Sequence, residues 1–254
     1  MARILLLAAF SAAWAFSQAH LSVPHLGLVR DASGRLLALR GLAGNFLWGE
    51  PVLEGVRAAS SSGSWTLAKL ETELLLLDAD GTVAARWPAP PGSALFAFTA
   101  SGEPALVYFS KTGELWRLAR EGLQPLGDAG QHVVAIGLAD AEHAVLIERS
   151  RDGLGMRTIS LVTGSVEHEI LSAESFGPAL VTPDGRVVYV QGEQLRVRER
   201  GAPEHSLPMP APVQFLAQIS CEWIEARLEE NGGRMALRLR AGDIGLYRLP
   251  EDLR

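Results

Sequence analysis

Short apolar runs separated by turn residues recur through the second half of the chain. Each recurring unit contains an apolar strand flanked by tight turns and by strands of mixed polarity. Three units can be aligned on their apolar runs, which are Ala105–Phe109, Ala144–Ile147 and Val187–Val190. These runs follow one another at intervals of about forty residues, measured between their middle residues Val107, Leu146 and Val188. A strand repeat with this period is typical of a radial array of small sheets, a β-propeller.

Strict alternation of apolar and polar residues marks other strands of these units. It occurs in Leu195–Arg198 and again in Leu237–Arg240. A period of two is typical of a strand with one buried and one solvated face, as expected towards the outer edge of a propeller blade. The segment 115–126 has leucines at helical spacing, but Gly122 and Pro125 interrupt it. The sequence therefore predicts two strands in this segment.

The number of units predicts the size of the ring. Five units of this kind can be recognised, together with an N-terminal hairpin over Leu26–Leu42 that turns at Asp31–Gly34. The last unit runs from Val213 to Pro250. We predict an all-β fold, a β-propeller of about six four-stranded blades, with five complete blades as the alternative. The N-terminal hairpin is expected to close the ring against the C-terminal unit, because closure removes free sheet edges.

One unit carries a recognisable repeat motif. In Phe176–Val190 a strand of small residues is followed by a Pro-Asp-Gly turn at 183–185 and then by a Val-Tyr-Val strand. This order resembles the blade consensus of the YVTN and WD40-like propeller repeats, although the Gly-His and Trp-Asp pairs of true WD40 repeats are absent. The glycine-rich segment Gly41–Gly49 also resembles that of exported bacterial propellers. The resemblance implies a propeller and no particular function.

The N-terminal residues 1–19 have the features of a secretory signal peptide. A positive charge precedes the apolar stretch Ile4–Phe16, which is too short to cross a bilayer, and small residues flank position 18. We expect cleavage after Ala19, with a competing site after Ala15. The remainder, 20–254, is then a single propeller domain of a secreted or periplasmic protein. No later stretch of 18 residues is apolar enough to predict a membrane span.

Composition and charge exclude some classes of partner. Hydrophobic residues make up 48% of the chain, enough for a full core, and the formal net charge of −6 gives no basic footprint for nucleic acid. Arginine carries almost all of the positive charge, a bias that a GC-rich genome would explain, so it predicts no particular partner. Cys221 is the only cysteine, so no disulfide can form within the chain. Its strand-flanked position, without a cationic neighbour, predicts a buried and inert thiol.

The motifs of common enzyme chemistry are absent. The sequence has no Gly-x-Ser-x-Gly elbow, no glycine pattern for dinucleotides or phosphates, and no paired His or Cys zinc signature. We therefore expect no catalytic residue, no metal and no cofactor. Asp78–Gly81 resembles the start of a calcium loop but lacks the later ligands, so it predicts a hairpin turn. After cleavage His20 would be N-terminal and could hold copper with His25 or a distant histidine, the alternative being a loose chain end.

Two main classes of function remain. The first is a non-catalytic scaffold that binds a protein or a glycan, and the second is a propeller hydrolase or lyase with its site at the channel mouth. A structural role in the cell envelope is a third option. The candidate inner strands are apolar and mostly small, which indicates a packed channel and favours the scaffold; they are Leu95–Phe98, Val133–Ile136 and Pro178–Val181.

Aromatic side chains are the expected carriers of binding, because they combine a large apolar area with a polar tip. The candidate ligand-binding residues are Trp48 and the nearby Phe46, in the glycine-rich segment. The alternative role for Trp48 is core packing where the ring closes.

Overall fold

The computed structural model describes residues 23–119, 121–175, 177–229, 233–240 and 243–251. The predicted signal peptide and His20, with its suggested copper site, lie outside these residues. Within the described ranges the chain forms antiparallel β-strands and contains no helix that could cross a membrane. In the same ranges the strands group into six sheets, each built from consecutive strands, which we number as blades 1 to 6.

Blades 1 to 3 cover the first half of the ring, and each blade is a meander of antiparallel strands. In its described part, blade 1 contains β1 (His25–Arg30), β2 (Leu36–Leu42) and β3 (Asn45–Leu53). Blade 2 contains β4 (Ala58–Ser61), β5 (Trp65–Lys69), β6 (Glu73–Asp78) and β7 (Val83–Pro88). Blade 3 contains β8 (Ala94–Phe98), β9 (Pro104–Phe109), β10 (Glu114–Ala119) and β11 (Gly122–Asp128).

Blades 4 to 6 complete the ring with the same meander. Blade 4 contains β12 (Val133–Leu138), β13 (His143–Ser150), β14 (Gly153–Ser160) and β15 (Val166–Ser172). Blade 5 contains β16 (Ala179–Val181), β17 (Val187–Gln191), β18 (Gln194–Arg198) and β19 (His205–Pro208). Blade 6 contains β20 (Val213–Gln218), β21 (Trp223–Leu228), β22 (Arg234–Arg240) and β23 (Asp243–Arg248).

This architecture confirms the predicted all-β propeller of six blades. The segment 115–126 is divided between β10 and β11, as the glycine and proline positions predict. The first strand of every blade lies innermost: from β1 to β16 each contacts the first strand of the next blade, and β20 contacts β4. Blade 1 differs from the others in having three strands, rather than four, among the described residues.

Turn chemistry explains why the repeat motif is recognisable at 183–185. Thr182 N donates to the carbonyl oxygen of Arg186, and Gly185 N donates to that of Thr182, each over 2.9 Å. Gly185 has a φ of +81°, a conformation that glycine adopts without steric cost. The Asp184 carboxylate accepts an ion pair from the Arg186 guanidinium at 2.5 Å. The predicted hairpin turn at Asp78–Gly81 likewise joins β6 to β7.

The hydrophobic core lies between the blades. Each pair of neighbouring blades shares one cluster of buried apolar side chains, contributed by inner and middle strands. Val188, in the middle of β17, is fully buried in the cluster between blades 5 and 6, where Leu237 belongs to the same cluster. Blades are therefore held together by side-chain packing, while hydrogen-bonded ladders hold each blade together internally.

The ring closes where blade 1 meets blade 6, and we call this contact the seam. Val29, Leu39 and Phe46 of blade 1 belong to one cluster with Ile219 and Trp223 of blade 6. The Phe46 and Trp223 rings meet edge to face, with centroids 5.5 Å apart. The N-terminal hairpin thus closes the ring against the C-terminal unit, as predicted. It does so by side-chain packing, since β1, β2 and β3 pair only with one another among the described strands.

The odd number of strands in the described part of blade 1 reverses the direction of β1. In a meander, neighbouring strands alternate in direction, so three strands place the start of β1 at the end of the channel where the other inner strands finish. Gly27, near the start of β1, confirms this placement: a Cβ atom added to it would lie 1.9 Å from the Ile219 carbonyl oxygen, just beyond β20. Only glycine fits this approach.

Candidate functional site

The inner strands enclose a cavity of about 270 Å³ along the propeller axis. Every inner strand contributes to its wall. Small side chains dominate much of the lining, and the alanines among them are Ala58, Ala59, Ala94, Ala135, Ala179 and Ala217. The predicted apolar character of the channel is confirmed, but the channel is not filled by its own side chains. Alanine is too short to reach the axis, so space for a ligand remains.

Arginines gather at one end of this cavity, which we call the arginine mouth. The described residues that form it are Arg30, Arg57, Arg149 and Arg227. Arg57 immediately precedes β4, and Arg149 lies beside the start of β12, since its backbone N donates to the carbonyl oxygen of His132 over 2.9 Å. Arg227 on β21 pairs with Phe215 near the start of β20. Arg30 ends β1 and reaches the same mouth because β1 runs in the opposite direction.

The arginines differ in how firmly they are held. Arg30 Nε donates to the carbonyl oxygen of Val56 over 2.6 Å, and Arg57 Nε forms an ion pair with Glu71 at 2.9 Å. Arg57 and Arg149 are both exposed. Among the described residues, the Arg149 guanidinium has no hydrogen bond or ion pair. The rim of the mouth therefore presents cationic groups that are accessible to a ligand.

A buried ion network anchors the inner part of the mouth to the seam. Glu225 is fully buried, and its Oε1 accepts hydrogen bonds from Arg227 Nε at 2.8 Å and from Arg234 Nε at 2.5 Å. Both guanidiniums also donate to the carbonyl oxygen of Arg30, Arg234 Nη2 over 3.1 Å. Because Arg30 is in blade 1 and the other three residues are in blade 6, the network ties the two blades together and fixes the position of Arg227.

The mouth is strongly cationic in a protein whose formal net charge is −6. The described cavity lining carries four guanidiniums and one carboxylate, that of Glu225. Burial, followed by the nearby positive charge of Arg227, lowers the pKa of Arg30. Arginine keeps its proton under all ordinary conditions, so this lowering reports first the cost of burying the charge and second the crowding by the positive charge of Arg227. An anion bound at the mouth would relieve that crowding.

The opposite end of the channel is crossed by contacts between turns. Ser62 Oγ donates to the carbonyl oxygen of Gly102 over 2.6 Å, and Cys221 Sγ donates to that of Ser62 over 3.3 Å. Cys221 is half-buried, less enclosed than the sequence predicts. Burial, and then the charge of Asp184, raise the pKa of the Cys221 thiol, which disfavours the reactive thiolate. This end therefore offers contacts between blades rather than a reactive group.

The structure brings the predicted ligand-binding residues together at the seam, outside the lining of the cavity. Phe46 is 5% exposed and packs on Trp223 and Tyr247. Trp48 is half-buried and packs against the same cluster. Its Nε1 donates to the carbonyl oxygen of Pro250 over 3.2 Å, and the Arg234 guanidinium lies 4.7 Å from its ring centre. A ligand-binding role for the two residues stays a prediction, alongside the alternative of core packing for Trp48.

The Trp48→Ala variant separates these roles. A packing role predicts a loss of folding free energy below the ~3–5 kcal/mol of a fully buried aromatic, because Trp48 is only half-buried. It also predicts a weaker seam, since the hydrogen bond to Pro250 is lost. Denaturant unfolding of the variant measures the loss. Unchanged stability with lost ligand capture would instead establish binding as the role of Trp48.

Sequence reasoning missed the arginine mouth. It attributed the excess of arginine to genome composition, whereas four described arginines converge on one end of the channel. A signal was present at Arg30 and Arg57, which stand directly at the end or the start of an inner strand. Recognising their convergence also required the reversed direction of β1. Within the described part of the chain, no three His, Cys, Asp or Glu side chains are grouped to hold a metal ion.

Comparisons with known proteins bear on the fold. No protein-family model and no curated protein sequence matches the chain. Solved structures do match: a chain of the nidogen–laminin complex has a TM-score of 0.62 at 12% identity, covering 89% of this chain and 93% of that one. TolB from Acinetobacter baumannii gives 0.61 at 12% identity, with 91% of this chain and 64% of TolB covered.

A third matching structure is itself described as a β-propeller. The WD40 β-propeller domain of Doa1 has a TM-score of 0.51 at 15% identity, covering 78% of this chain and 74% of the Doa1 chain. At such identities a likeness establishes the fold alone. The likeness supports the propeller architecture that the resemblance to the YVTN and WD40-like repeats implies, and the chain is a six-bladed β-propeller.

Proposed function

We propose that the protein is an exported, non-catalytic scaffold that captures a protein or glycan partner at the arginine mouth. The observation that carries this proposal is the open cavity of about 270 Å³ with exposed arginines on its rim. Arg57 lies in blade 2 and Arg149 in blade 4, so they approach the mouth from different sides. Cationic groups around a concave site attract and orient an anionic partner.

The chemistry of the cavity supports binding rather than catalysis. Among the described lining residues, Glu225 is the acid, and its Oε1 is held by the guanidiniums of Arg227 and Arg234. A general acid or base must be within hydrogen-bond reach of a substrate and free to exchange a proton. A carboxylate paired with two permanent cations is poorly suited to that task. The geometry therefore favours the scaffold over a hydrolase or lyase.

One of the comparison structures is consistent with a docking role. One matching chain, covered to 93% of its length, comes from a nidogen–laminin complex, a protein–protein assembly by its name. We transfer from it only the general possibility that the face of such a propeller supports a partner.

Export is part of the same proposal and rests on the apolar stretch Ile4–Phe16 with small residues before position 20. The protein recovered from the envelope or the medium should begin at His20 when its N-terminus is sequenced. An intact Met1 in the cytoplasmic fraction would contradict export.

Charge reversal on the rim tests the binding face. The Arg57→Glu/Arg149→Glu double variant should fold normally, because both side chains are exposed and surface changes usually stay within ~0.5 kcal/mol. A partner captured from envelope extract by the wild-type protein should be lost with this variant. Arg86→Glu, on the outer strand of blade 2, is the matched control and should retain capture.

Two results would contradict the proposal. Equal capture by the wild-type protein and the double variant would place the binding face elsewhere. Hydrolytic or lyase activity on a broad substrate panel, abolished by Glu225→Gln in a folded protein, would replace the scaffold with an enzyme.

A further inference from the structure

We propose that the cavity binds a carboxylate joined to a compact apolar group, with the apolar group inside the channel and the carboxylate at the arginine mouth. This inference rests on the proposed function, because it assigns a ligand chemistry to the same mouth. It goes further by naming what enters the channel and in which orientation.

The walls determine the apolar part of the ligand. Between the arginines and the far end, the lining consists mainly of alanine and aliphatic side chains, with Phe96 and Leu180 among the larger ones. A cavity of about 270 Å³ corresponds to the liquid volume of ~9 water molecules. An apolar group of that bulk, such as one aromatic ring with a short linker, would fill it. Apolar walls favour such a group over a chain of hydrated polar groups.

The mouth determines the charge of the ligand. Arg57 and Arg149 are exposed on the rim, while Arg30 and Arg227 are held deeper by contacts to Val56 and Glu225. Guanidiniums bind carboxylates through paired, charge-assisted hydrogen bonds. A ligand with a single carboxylate can pair that group with the guanidiniums at the rim. Its apolar body then enters the channel and contacts the apolar walls.

Gln218 indicates an oxygen at the other end of the ligand. Its side chain lines the cavity, is 4% exposed, and has no hydrogen-bond partner for Nε2 among the described residues. Gln218 pairs with Ile224, whereas Arg227 pairs with Phe215, so Gln218 and Arg227 lie towards opposite ends of β20. A buried amide donor without a partner is unfavourable. Nε2 itself has almost no accessible surface, so a hydroxyl or carbonyl oxygen at the inner end of the ligand would accept this hydrogen bond once the Gln218 side chain turns towards the cavity.

Two sources could supply this chemistry: a free aryl or alkyl carboxylic acid, or the C-terminal residue of a protein chain. The probe for the first is 3-(4-hydroxyphenyl)propionate. The probe for the second is a short peptide that ends in tyrosine with a free carboxylate. Each has a matched control in which an amide replaces the carboxylate, so that shape is retained and charge is removed.

Titration calorimetry on the full mature protein is the test. At least one of the two acids should bind, and its amide control should bind at least about tenfold more weakly, the effect of losing one charge-assisted hydrogen bond. The Arg57→Gln/Arg149→Gln double variant should bind the acid more weakly by a similar factor, whereas Arg86→Gln should leave its affinity unchanged. Ala217→Leu, which narrows the wall, should also weaken binding. Which acid binds identifies the source.

The inference would be overturned if neither acid bound, or if acid and amide bound equally well. It would also be overturned if binding were indifferent to both the arginine and the Ala217 changes. These failures are distinguishable from failure of the proposed function. Capture of a large partner that depends on Arg57 and Arg149, without binding of either probe, would leave the scaffold intact and remove only the ligand assigned to the channel.

Discussion

Replacing Val188 with aspartate is expected to destabilise the propeller by ~3–5 kcal/mol, the cost of an unpaired charge in a protein core. Val188 is fully buried between blades 5 and 6, with Leu195 and Leu237 in the same apolar cluster. The side chains that form this cluster are all apolar, so none of them can pair with a carboxylate. For a chain of this size the change corresponds to a melting temperature lower by roughly 6–20 °C, measured by calorimetry or circular dichroism.

The outer strands provide the control for this substitution. Val166 starts β15 and is 46% exposed, so Val166→Asp should leave the melting temperature nearly unchanged. Equal melting temperatures for Val188→Asp and the wild-type protein would show that β17 is not buried between blades.

Removing the carboxylate of Glu225 is expected to destabilise the propeller about as much as Val188→Asp does. Here the cause is buried positive charge that loses its partner, rather than a negative charge introduced into the core. Glu225→Ala leaves the guanidiniums of Arg227 and Arg234 without their shared partner, and Arg234 is only 4% exposed. Breaking a buried ion pair from one side costs ~3–5 kcal/mol. Because the network spans the seam, unfolding should begin between blades 1 and 6. Denaturant unfolding measures the loss of stability, and hydrogen exchange of β1 and β22 shows whether unfolding begins at the seam.

Glu222 offers a matched control. Its carboxylate lies 3.7 Å from Arg238 and 3.9 Å from Arg240, at the surface. Exposed ion pairs contribute ~0–1 kcal/mol, so Glu222→Ala should be nearly neutral. A Glu225→Ala variant as stable as Glu222→Ala would mean that the buried network does not hold the seam.

The blades could be predicted from the sequence because a strand repeat is a local signal. The alternation in Leu195–Arg198 and the Pro-Asp-Gly turn at 183–185 depend only on neighbouring residues. Each blade is also continuous in the chain, so the period of about forty residues maps directly onto one sheet. The fold therefore followed from patterns that extend over a single unit.

The candidate site could not be predicted in the same way. The arginine mouth forms because Arg30 and Arg227, far apart in the chain, meet after the ring closes. Whether Arg30 points to this mouth depends on how many strands blade 1 has, which the sequence pattern left uncertain. The open cavity was missed as well, since apolar inner strands predict a dry wall but do not reveal whether alanines leave space between them.

The burial of Glu225 could not be predicted from the sequence pattern either. Glu225 stands in β21 (Trp223–Leu228), inside the last unit that the sequence predicts. A glutamate in a strand normally indicates a solvated face. Here its burial depends on Arg234, which comes from the next strand, and on Arg227 beside it. A charge can be recognised as buried only when its partners in space are known.

The seam has a mechanical consequence. Each blade is cross-linked internally by a ladder of backbone hydrogen bonds, whereas side-chain packing joins neighbouring blades among the described strands, and at the seam no linker of the described chain reinforces that packing. Because the described chain begins in blade 1 and ends in blade 6, a pulling force applied to its two ends would load the seam first. Blades 1 and 6 would separate there and expose Phe46 and Trp223, while the individual sheets stayed intact. A propeller whose described strands close the ring by side-chain packing therefore resists such a force least at the seam, in contrast to a propeller whose first and last strands share a sheet.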